Sequence, residues 1–332
     1  MELEPTEIKG NLEIKKKKIK QSHFSDITPT SKMFMRNVGL PSDYHCTCNY
    51  CTENYLGELF HTPTNQFYSG VGRKKYYHPD KHKHIAEGQY QGYRYAVQEW
   101  SYPGDWVFDP TVGTGTAIVE SINNGRNGIG IELEFPEIAR KNIDFQSSGK
   151  VIKPTGKHIF VHGDARNTKN ILEGNGFKEE SIQLVLNGTP YPKLSSISSD
   201  SPQRNLMYDK DGKLTRESAE ERNYKVKENF GLYKGNAFSD LISGMYLDCI
   251  PFMKKGAKMV ILIKDMSQNK KSYLLHKYVV DDLLSKTDKL KYFGCYIHRH
   301  LPYTLHMNTY NNIHPDAEQV PMYQTGIVLE KI

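Results

Sequence analysis

A glycine-rich turn between a short apolar strand and a helical stretch is the strongest chemical signal in the sequence. The turn follows the predicted strand Trp106–Asp109, contains Gly113 and Gly115, and precedes an apolar helix that begins at Thr116. Glycines let a backbone approach a ligand closely, and the N-terminus of a helix offers unpaired N–H groups. The spacing therefore predicts a ligand-binding turn at this strand end.

Acidic residues near the ends of the next two predicted strands extend this turn into a crevice. Glu132 ends the strand Gly128–Glu132, and Asp164 follows the strand His158–His162. In open α/β sheets a ligand binds outside the carboxyl ends of the strands, where an acidic side chain holds ribose hydroxyls. We expect Glu132 to have that role and Asp164 to be a further polar contact. The residues alone leave open that all three features are ordinary turns and caps.

Seven short apolar strands alternating with helices must position these groups. This alternation is typical of a parallel sheet with crossover helices, so the sequence predicts an α/β fold. Helical spacing of Tyr93, Val97 and Trp100 marks the helix before the first strand. Residues 193–236 show no strand pattern and are interpreted as a functional or mobile insertion. The seven predicted strands are Trp106–Asp109, Gly128–Glu132, His158–His162, Ile182–Leu186, Lys258–Ile263, Tyr292–Ile297 and Gly326–Glu330.

The composition limits the class of protein. Of 332 residues, 37% are hydrophobic and 25% are charged, which supports a folded core and excludes a wholly disordered chain. No apolar run approaches the roughly 20 residues of a spanning helix, and the N-terminus lacks the pattern of a signal peptide. Five cysteines in a chain of this length do not form a disulfide framework. A cytoplasmic protein is therefore expected.

Two further features, the runs of basic residues and a group of cysteines, each allow two interpretations. Basic residues outnumber acidic ones by 44 to 38 and concentrate at Lys15–Lys18, Arg73–Lys75 and Lys81, where they form either a solvated surface or phosphate contacts. Cys46, Cys48 and Cys51 lie close together. Tetrahedral zinc takes four ligands, so reduced thiols without a metal are favoured.

The motifs of this crevice resemble those of the S-adenosylmethionine-dependent DNA amino-methyltransferases. The segments that carry the resemblance are DPTVGTGT at 109–116, GIGIELE at 128–134 and GDA at 163–165. The family has Phe where this chain has Thr111. The resemblance covers roughly residues 76–332 and implies a Rossmann-like class I methyltransferase. Its sheet would be mixed, mostly parallel and seven-stranded, with helices on both faces and the last strand antiparallel.

The resemblance also assigns the cofactor site and the domains. The turn would cradle the methionine end of S-adenosylmethionine, Glu132 the ribose and Asp164 the adenine; no metal is expected. Residues 1–75 would be an N-terminal extension and 76–332 the catalytic domain, with the extension and the insertion 193–236 contacting DNA. The implied cofactor-binding residues are His78, Asp109, Pro110, Thr111, Gly113, Gly115, Thr116, Glu132 and Asp164.

The fourth predicted strand ends where the family has its catalytic tetrapeptide, Asp, Asn or Ser followed by Pro-Pro-Tyr. In that family a side-chain oxygen and a backbone carbonyl accept the two hydrogens of the base amine, and the aromatic ring stacks on the flipped base. Aligned on Pro190 and Tyr191, the polar position is Gly188, which has no side chain. The implied catalytic segment consists of Asn187, Gly188, Thr189, Pro190 and Tyr191.

Three interpretations of this departure stay open. Asn187 or Thr189 replaces the acceptor, or the chain is an inactive or altered relative. The third is a plain turn, because Asn-Gly and Thr-Pro are turn signals. If Gly188 replaces a functional Ser or Asp, restoring either residue is expected to raise methyl transfer.

The resemblance implies a site-specific methyltransferase that acts on double-stranded DNA with the target base flipped out. With Pro192 after Tyr191, the segment resembles the family members that read Thr-Ser-Pro-Pro-Tyr-Pro, in which Ser stands at the position of Gly188. This resemblance favours N4 of cytosine over N6 of adenine as the methylated amine. The resemblance allows a role in restriction–modification and implies a prokaryotic or viral-host cytoplasm. RNA base methylation and a silent module that binds cofactor or nucleic acid are the alternatives.

Overall fold

The computed structural model describes the central part of the chain and its C-terminal strand. The described residues are 77–80, 90–149, 154–192, 226–233, 235–263, 275–299 and 323–332, with short strands at 43–45, 58–60, 207–208, 214–215, 266–268 and 271–273. The cysteine cluster, the basic clusters of the first 83 residues and most of the predicted insertion lie outside the described residues.

Nine strands form the main sheet. They are β1 Asp43–His45, β2 Glu58–Phe60, β3 Trp106–Asp109, β4 Asn127–Glu132, β5 His158–His162, β6 Ile182–Gly188, β9 Met253–Ile263, β12 Leu290–Arg299 and β13 Tyr323–Lys331. Their order across the sheet is β1-β2-β12-β13-β9-β6-β3-β4-β5. Two separate ribbons consist of β7 Met207–Tyr208 with β8 Leu214–Thr215, and β10 Met266–Gln268 with β11 Lys271–Tyr273.

The predicted Rossmann-like α/β fold with a mixed, mostly parallel sheet is confirmed. All seven predicted strands are present, and β13 runs antiparallel to both β9 and β12. The neighbours among β9, β6, β3, β4 and β5 pair in parallel. The seven predicted strands lie side by side as expected, and two three-residue strands, β1 and β2, extend the sheet beyond β12. Three residues each are too few to show a strand period.

Six helices among the described residues cover the two faces of the sheet. They are α1 Tyr90–Trp100, α2 Thr116–Asn123, α3 Pro136–Ser147, α4 Thr168–Gly174, α5 Gly235–Cys249 and α6 Leu275–Ser285. Hydrophobic residues of α1 and α2 pack on one face, and those of α4, α5 and α6 pack on the other. No helix among the described residues is long and apolar enough to cross a membrane.

The two faces of β6 contact different helices. Leu184 and Leu186 lie in the hydrophobic cluster of α1, whereas Val185 lies in that of α5. Because side chains alternate along a strand, the next two positions face α5 and α1 in turn. This alternation separates the surroundings of Asn187 from those of Gly188.

Strand β6 is longer than the sequence predicts. Asn187 and Gly188 belong to the strand and pair with Ile261 and Leu262 of β9. The interpretation of Asn187-Gly188 as a plain turn is therefore wrong, because the neighbouring strand supplies their backbone partners. Strand β9 is also longer, since it begins at Met253 rather than at residue 258.

Candidate active site

The predicted glycine turn connects β3 to α2, with two glycines in the left-handed region. Gly113 has φ 53° and Gly115 has φ 80°, values that residues with a Cβ rarely adopt. An ideal Cβ on Gly115 would also lie 3.0 Å from Cγ1 of Ile143 in α3. Glycine is needed at both positions for conformation, and at Gly115 also for packing.

Buried polar groups hold the ends of this turn and the helix behind it. Pro110 and Thr116 flank the turn and are both buried. On α2, the carboxylate of Glu120 is 2.7 Å from Nε of Arg94 and also accepts a hydrogen bond from the Tyr77 hydroxyl. Glu120 is fully buried, so this ion pair anchors α2 to α1. Sequence reasoning missed it, because its members are far apart along the chain.

Glu132, at the end of β4, fastens the turn through both of its carboxylate oxygens. Oε2 accepts a hydrogen bond from the Gly113 N–H at 2.9 Å. Oε1 accepts from the N–H groups of Glu134 and Phe135, each at 2.9 Å. A carboxylate has about four lone-pair sites, so these three contacts leave capacity for a ligand hydroxyl. The structure thus brings Glu132 and the glycine turn together, as predicted.

Asp164 follows β5, and its carboxylate is paired with Arg166. Oδ1 accepts a hydrogen bond from the backbone N–H of Arg166 at 2.9 Å. Oδ2 lies 2.8 Å from Nε of the same guanidinium, and this hydrogen bonding raises the pKa of Arg166. A ligand that contacts Asp164 would therefore meet a carboxylate whose charge is already balanced.

His78 reaches the turn through its backbone rather than through its ring. Its N–H donates to Oδ1 of Asn142 at 3.1 Å, and the Asn142 amide donates to the Thr114 carbonyl at 2.7 Å. The ring accepts a hydrogen bond from the Asp80 N–H and packs edge-on against Phe145. The structure places His78 beside α3 as a support of the turn, and it adds Asn142, which sequence reasoning missed.

One buried side chain, Asn187, joins the end of β6 to the end of β3. Its Nδ2 donates one hydrogen to Oδ1 of Asp109 and the other to Oγ1 of Thr111, both at 2.7 Å. Asn187 and Asp109 are 0% and 1% exposed. Thr111 is important for this contact, because the Phe of the resembled family has no hydroxyl to accept the second hydrogen.

Tyr246 of α5 continues this network beyond Asn187. Its hydroxyl donates to Oδ1 of Asn187 at 2.7 Å and lies 2.6 Å from Oγ1 of Thr189. An amide oxygen accepts but cannot donate, so the Tyr246 proton points to Asn187 and Thr189 donates to Tyr246. The amide nitrogen and oxygen of Asn187 are therefore both engaged inside the protein. Sequence reasoning missed Tyr246, because it lies in the apolar stripe of a core helix.

Burial changes the acidity of two groups in this network. Removal from water raises the pKa of Asp109 to about 7, against the lowering effect of hydrogen bonds from Asn187 and Thr111. Burial likewise raises the pKa of Tyr246 well above its usual value, so its hydroxyl stays protonated. Asp109 is consequently present in both protonation forms near neutral pH.

Gly188 is the next residue of β6, and its open side faces α1. An ideal Cβ on Gly188 would lie 2.1 Å from the hydroxyl oxygen of Tyr93 and 3.3 Å from its Cζ. Tyr93 is 6% exposed and shares a hydrophobic cluster with Leu184 and Leu186. The space of a side chain at position 188 is filled by Tyr93, so packing requires glycine there.

The rest of the predicted catalytic segment leaves the strand at the same edge. The Thr189 N–H donates to the Leu262 carbonyl of β9 at 3.1 Å. Pro190 and Tyr191 are partly exposed, and Tyr191 packs against the hydrophobic cluster that contains α5. An aromatic ring held in this way can offer a face to another ring.

Part of the chain matches a known protein family. Residues 12–140 match the N6_N4_Mtase family, described as DNA methylase. The matched span contains the glycine turn and Glu132 and ends before β6. It begins at residue 12, whereas the sequence motifs predict that the resemblance starts at about residue 76.

A curated relative matches over a similar length. The chain is 32% identical over 111 residues to the type II methyltransferase M.MthZI of Methanothermobacter thermautotrophicus. The aligned segment covers 30% of this chain and 30% of that protein. The chain therefore spans less than a third of the length of this relative.

Several solved structures are similar in fold at low identity. SMU.776, assigned as a methyltransferase and complexed with SAH, has a TM-score of 0.43 at 10% identity, with 74% of this chain and 50% of that chain covered. An rRNA methylase from Streptococcus thermophilus has a TM-score of 0.39 at 10% identity, with 74% and 98% covered. Likenesses this distant say nothing about the substrate of this chain.

Proposed function

We propose that this chain, which matches the DNA methylase family over residues 12–140, transfers a methyl group from S-adenosylmethionine to an exocyclic amine of a DNA base. We propose that it acts on specific sites in double-stranded DNA and that N4 of cytosine, rather than N6 of adenine, is the methylated atom. We also propose that it takes part in restriction–modification. The observation that carries it is the contact of Asn187 with Asp109 and Thr111. This contact puts the segment that would hold the base beside the turn that would hold the methyl donor.

The residues at this edge of the sheet fit the proposed cofactor. In β4, an ideal Cβ on Gly130 would lie 2.0 Å from Cγ1 of Val112. A residue with a side chain at position 130 would therefore collide with the turn, and glycine lets the turn pack directly on the strand. Glu132 keeps acceptor capacity for ribose hydroxyls, and the turn with Gly113 and Gly115 offers a close backbone approach. These residues would hold S-adenosylmethionine, with Asp164 at the adenine end.

When bound, S-adenosylmethionine supplies a sulfonium methyl group: the amine lone pair forms the N–C bond, the C–S pair stays on sulfur, and the surplus amine proton passes to water. The residues of the chain bind and orient the base. Tyr191 stacks on the flipped base, and oxygens beside the end of β6 accept the amine hydrogens and draw the nitrogen towards a tetrahedral geometry. Holding both reactants in one crevice supplies much of the rate.

Nucleoside analysis tests this proposal directly. The full chain is incubated with S-adenosylmethionine carrying a labelled methyl group and, separately, with mixed-sequence double-stranded DNA and with RNA. Label in N4-methylcytosine from DNA is the expected result, whereas label in N6-methyladenine would keep the enzyme class and change the base. Label found solely in RNA, or in neither nucleic acid, would overturn the proposal. Calorimetric binding of the cofactor without any transfer would identify a silent module.

A further inference from the structure

The proposed reaction needs a side-chain oxygen at the end of β6, and the strand itself does not present one. Gly188 has no side chain. The amide of Asn187 is buried and hydrogen-bonded on both its nitrogen and its oxygen. The hydroxyl of Thr189 is turned towards Tyr246 and is buried with it. An acceptor for the base amine therefore has to come from another element.

Tyr93 brings an oxygen to this place from α1. Its hydroxyl oxygen lies 2.1 Å from the position of an ideal Cβ on Gly188, where the side chain of a Ser or Asp would begin. The alternation of β6 explains the meeting, because Leu184, Leu186 and Gly188 face α1 while Asn187 faces α5. The helix thus fills from outside the space that the strand leaves empty.

We propose that the hydroxyl of Tyr93 is the catalytic acceptor for the target amine, in place of the side chain that position 188 lacks. This inference rests on the proposed function and deepens it. A phenol oxygen accepts a hydrogen bond while its own hydrogen is donated elsewhere, so the acceptor role is compatible with another partner. Gly188 and Tyr93 form a matched pair, in which the glycine opens a space and the tyrosine fills it with an oxygen.

Burial holds this oxygen in place before substrate binds. Tyr93 is 6% exposed and belongs to the hydrophobic cluster that contains Ala96, Val97 and Leu186. A preorganised polar group needs no reorganisation as charge develops in the transition state, and removal of one such group typically costs about 10²- to 10³-fold in rate. Tyr93→Phe removes the oxygen and leaves the buried ring.

Four variants separate the catalytic role from packing. Single-turnover methyl transfer to mixed DNA is measured for Tyr93→Phe, Gly188→Ser, the double variant and Tyr95→Phe. Tyr95 is a buried tyrosine of the same helix that packs on Trp100 and Tyr296, so it is the matched control. Cofactor affinity by calorimetry and melting temperature are recorded for every variant.

The expected pattern combines a loss with a rescue. Tyr93→Phe should transfer about 10²-fold more slowly with unchanged cofactor affinity, while Tyr95→Phe keeps the rate. Gly188→Ser alone should melt a few °C lower, because the added side chain collides with the Tyr93 hydroxyl. In the double variant, where Tyr93→Phe has removed that hydroxyl, the serine should be tolerated. It should also restore transfer at least tenfold relative to Tyr93→Phe alone, because it returns an oxygen to the site.

Two results overturn the inference while leaving the proposed function intact. One is a Tyr93→Phe variant that transfers at the rate of the unchanged chain. The other is a double variant that folds as well as Tyr93→Phe alone but regains no activity from the serine. An unchanged chain that transfers no methyl group to DNA overturns the proposed function, and the inference falls with it.

Discussion

Thr111 and Asn187 meet across the gap between β3 and β6, where Oγ1 of the threonine accepts a hydrogen bond from Nδ2 of the asparagine at 2.7 Å. Thr111, which stands where the resembled family has Phe, therefore has a partner in the predicted catalytic segment. Asp109 accepts the other hydrogen of the same amide. The base-binding and cofactor-binding halves of the proposed site are joined by this one side chain.

Thr111→Val should destabilise the protein without changing its shape. The substitution leaves one buried N–H of Asn187 without its acceptor, so the free energy of unfolding should fall by about 1–3 kcal/mol. Asn187→Ala should cost more, because it also strips Asp109 and Tyr246 of a partner. Urea unfolding measures both. Thr287→Val, at a partly exposed threonine after α6, is the control, and its free energy of unfolding should fall less. Equal stability of all three variants would contradict the proposed hydrogen-bond network.

The raised pKa of Asp109 predicts a stability that depends on pH. The folded-state pKa is about 7, against about 4 for an unfolded Asp. Because the native state holds the proton more tightly, the contribution of Asp109 is fully present below pH of about 4 and is lost as the pH rises through about 7. The difference between the folded and unfolded pKa values corresponds to at most about 4 kcal/mol of the free energy of unfolding.

Unfolding by urea at several pH values between about 4 and 8 checks this prediction. Asp109→Asn cannot titrate and serves as the reference, since all other groups cancel in the comparison. The stability of the unchanged chain relative to Asp109→Asn should decline with rising pH. A difference that stays constant across the range would show that Asp109 keeps an ordinary pKa.

Glu132→Ala should weaken binding of S-adenosylmethionine. Loss of a charge-assisted ribose contact costs about 1.5–3 kcal/mol, or about 10- to 150-fold in affinity. The glycine turn also loses its anchor at Gly113, which adds to the effect. Calorimetry measures the affinity, with the exposed Glu137→Ala of α3 as the control. Unchanged affinity in a folded Glu132→Ala variant would exclude the assignment.

Tyr191→Ala should weaken capture of the flipped base and leave cofactor binding unchanged. Stacking of one base on an aromatic side chain is worth about 1–3 kcal/mol. Tyr191→Phe keeps the ring and should bind DNA as the unchanged chain does, because stacking does not need the hydroxyl. Fluorescence titration with DNA in the presence of S-adenosylhomocysteine compares the three proteins. An equal loss in the Phe and Ala variants would contradict stacking.

Local patterns in the sequence determined much of this protein. The seven longer strands follow from short apolar runs between turn residues, and the glycine turn follows from Gly113 and Gly115 directly after a strand. The sequence predicts Glu132 at the crevice because parallel strands present their carboxyl ends at one edge of the sheet. These features depend on neighbours along the chain, so the residues alone predict them.

Only the tertiary structure decided how the proposed site is completed. Tyr246 and Tyr93 look like core residues in the sequence, because their rings pack in apolar stripes of α5 and α1. Which atoms their hydroxyls meet depends on how those helices lie on the two faces of β6, and no local pattern encodes that. Since consecutive residues of a strand point to opposite faces, Asn187 meets one tyrosine and Gly188 meets the other.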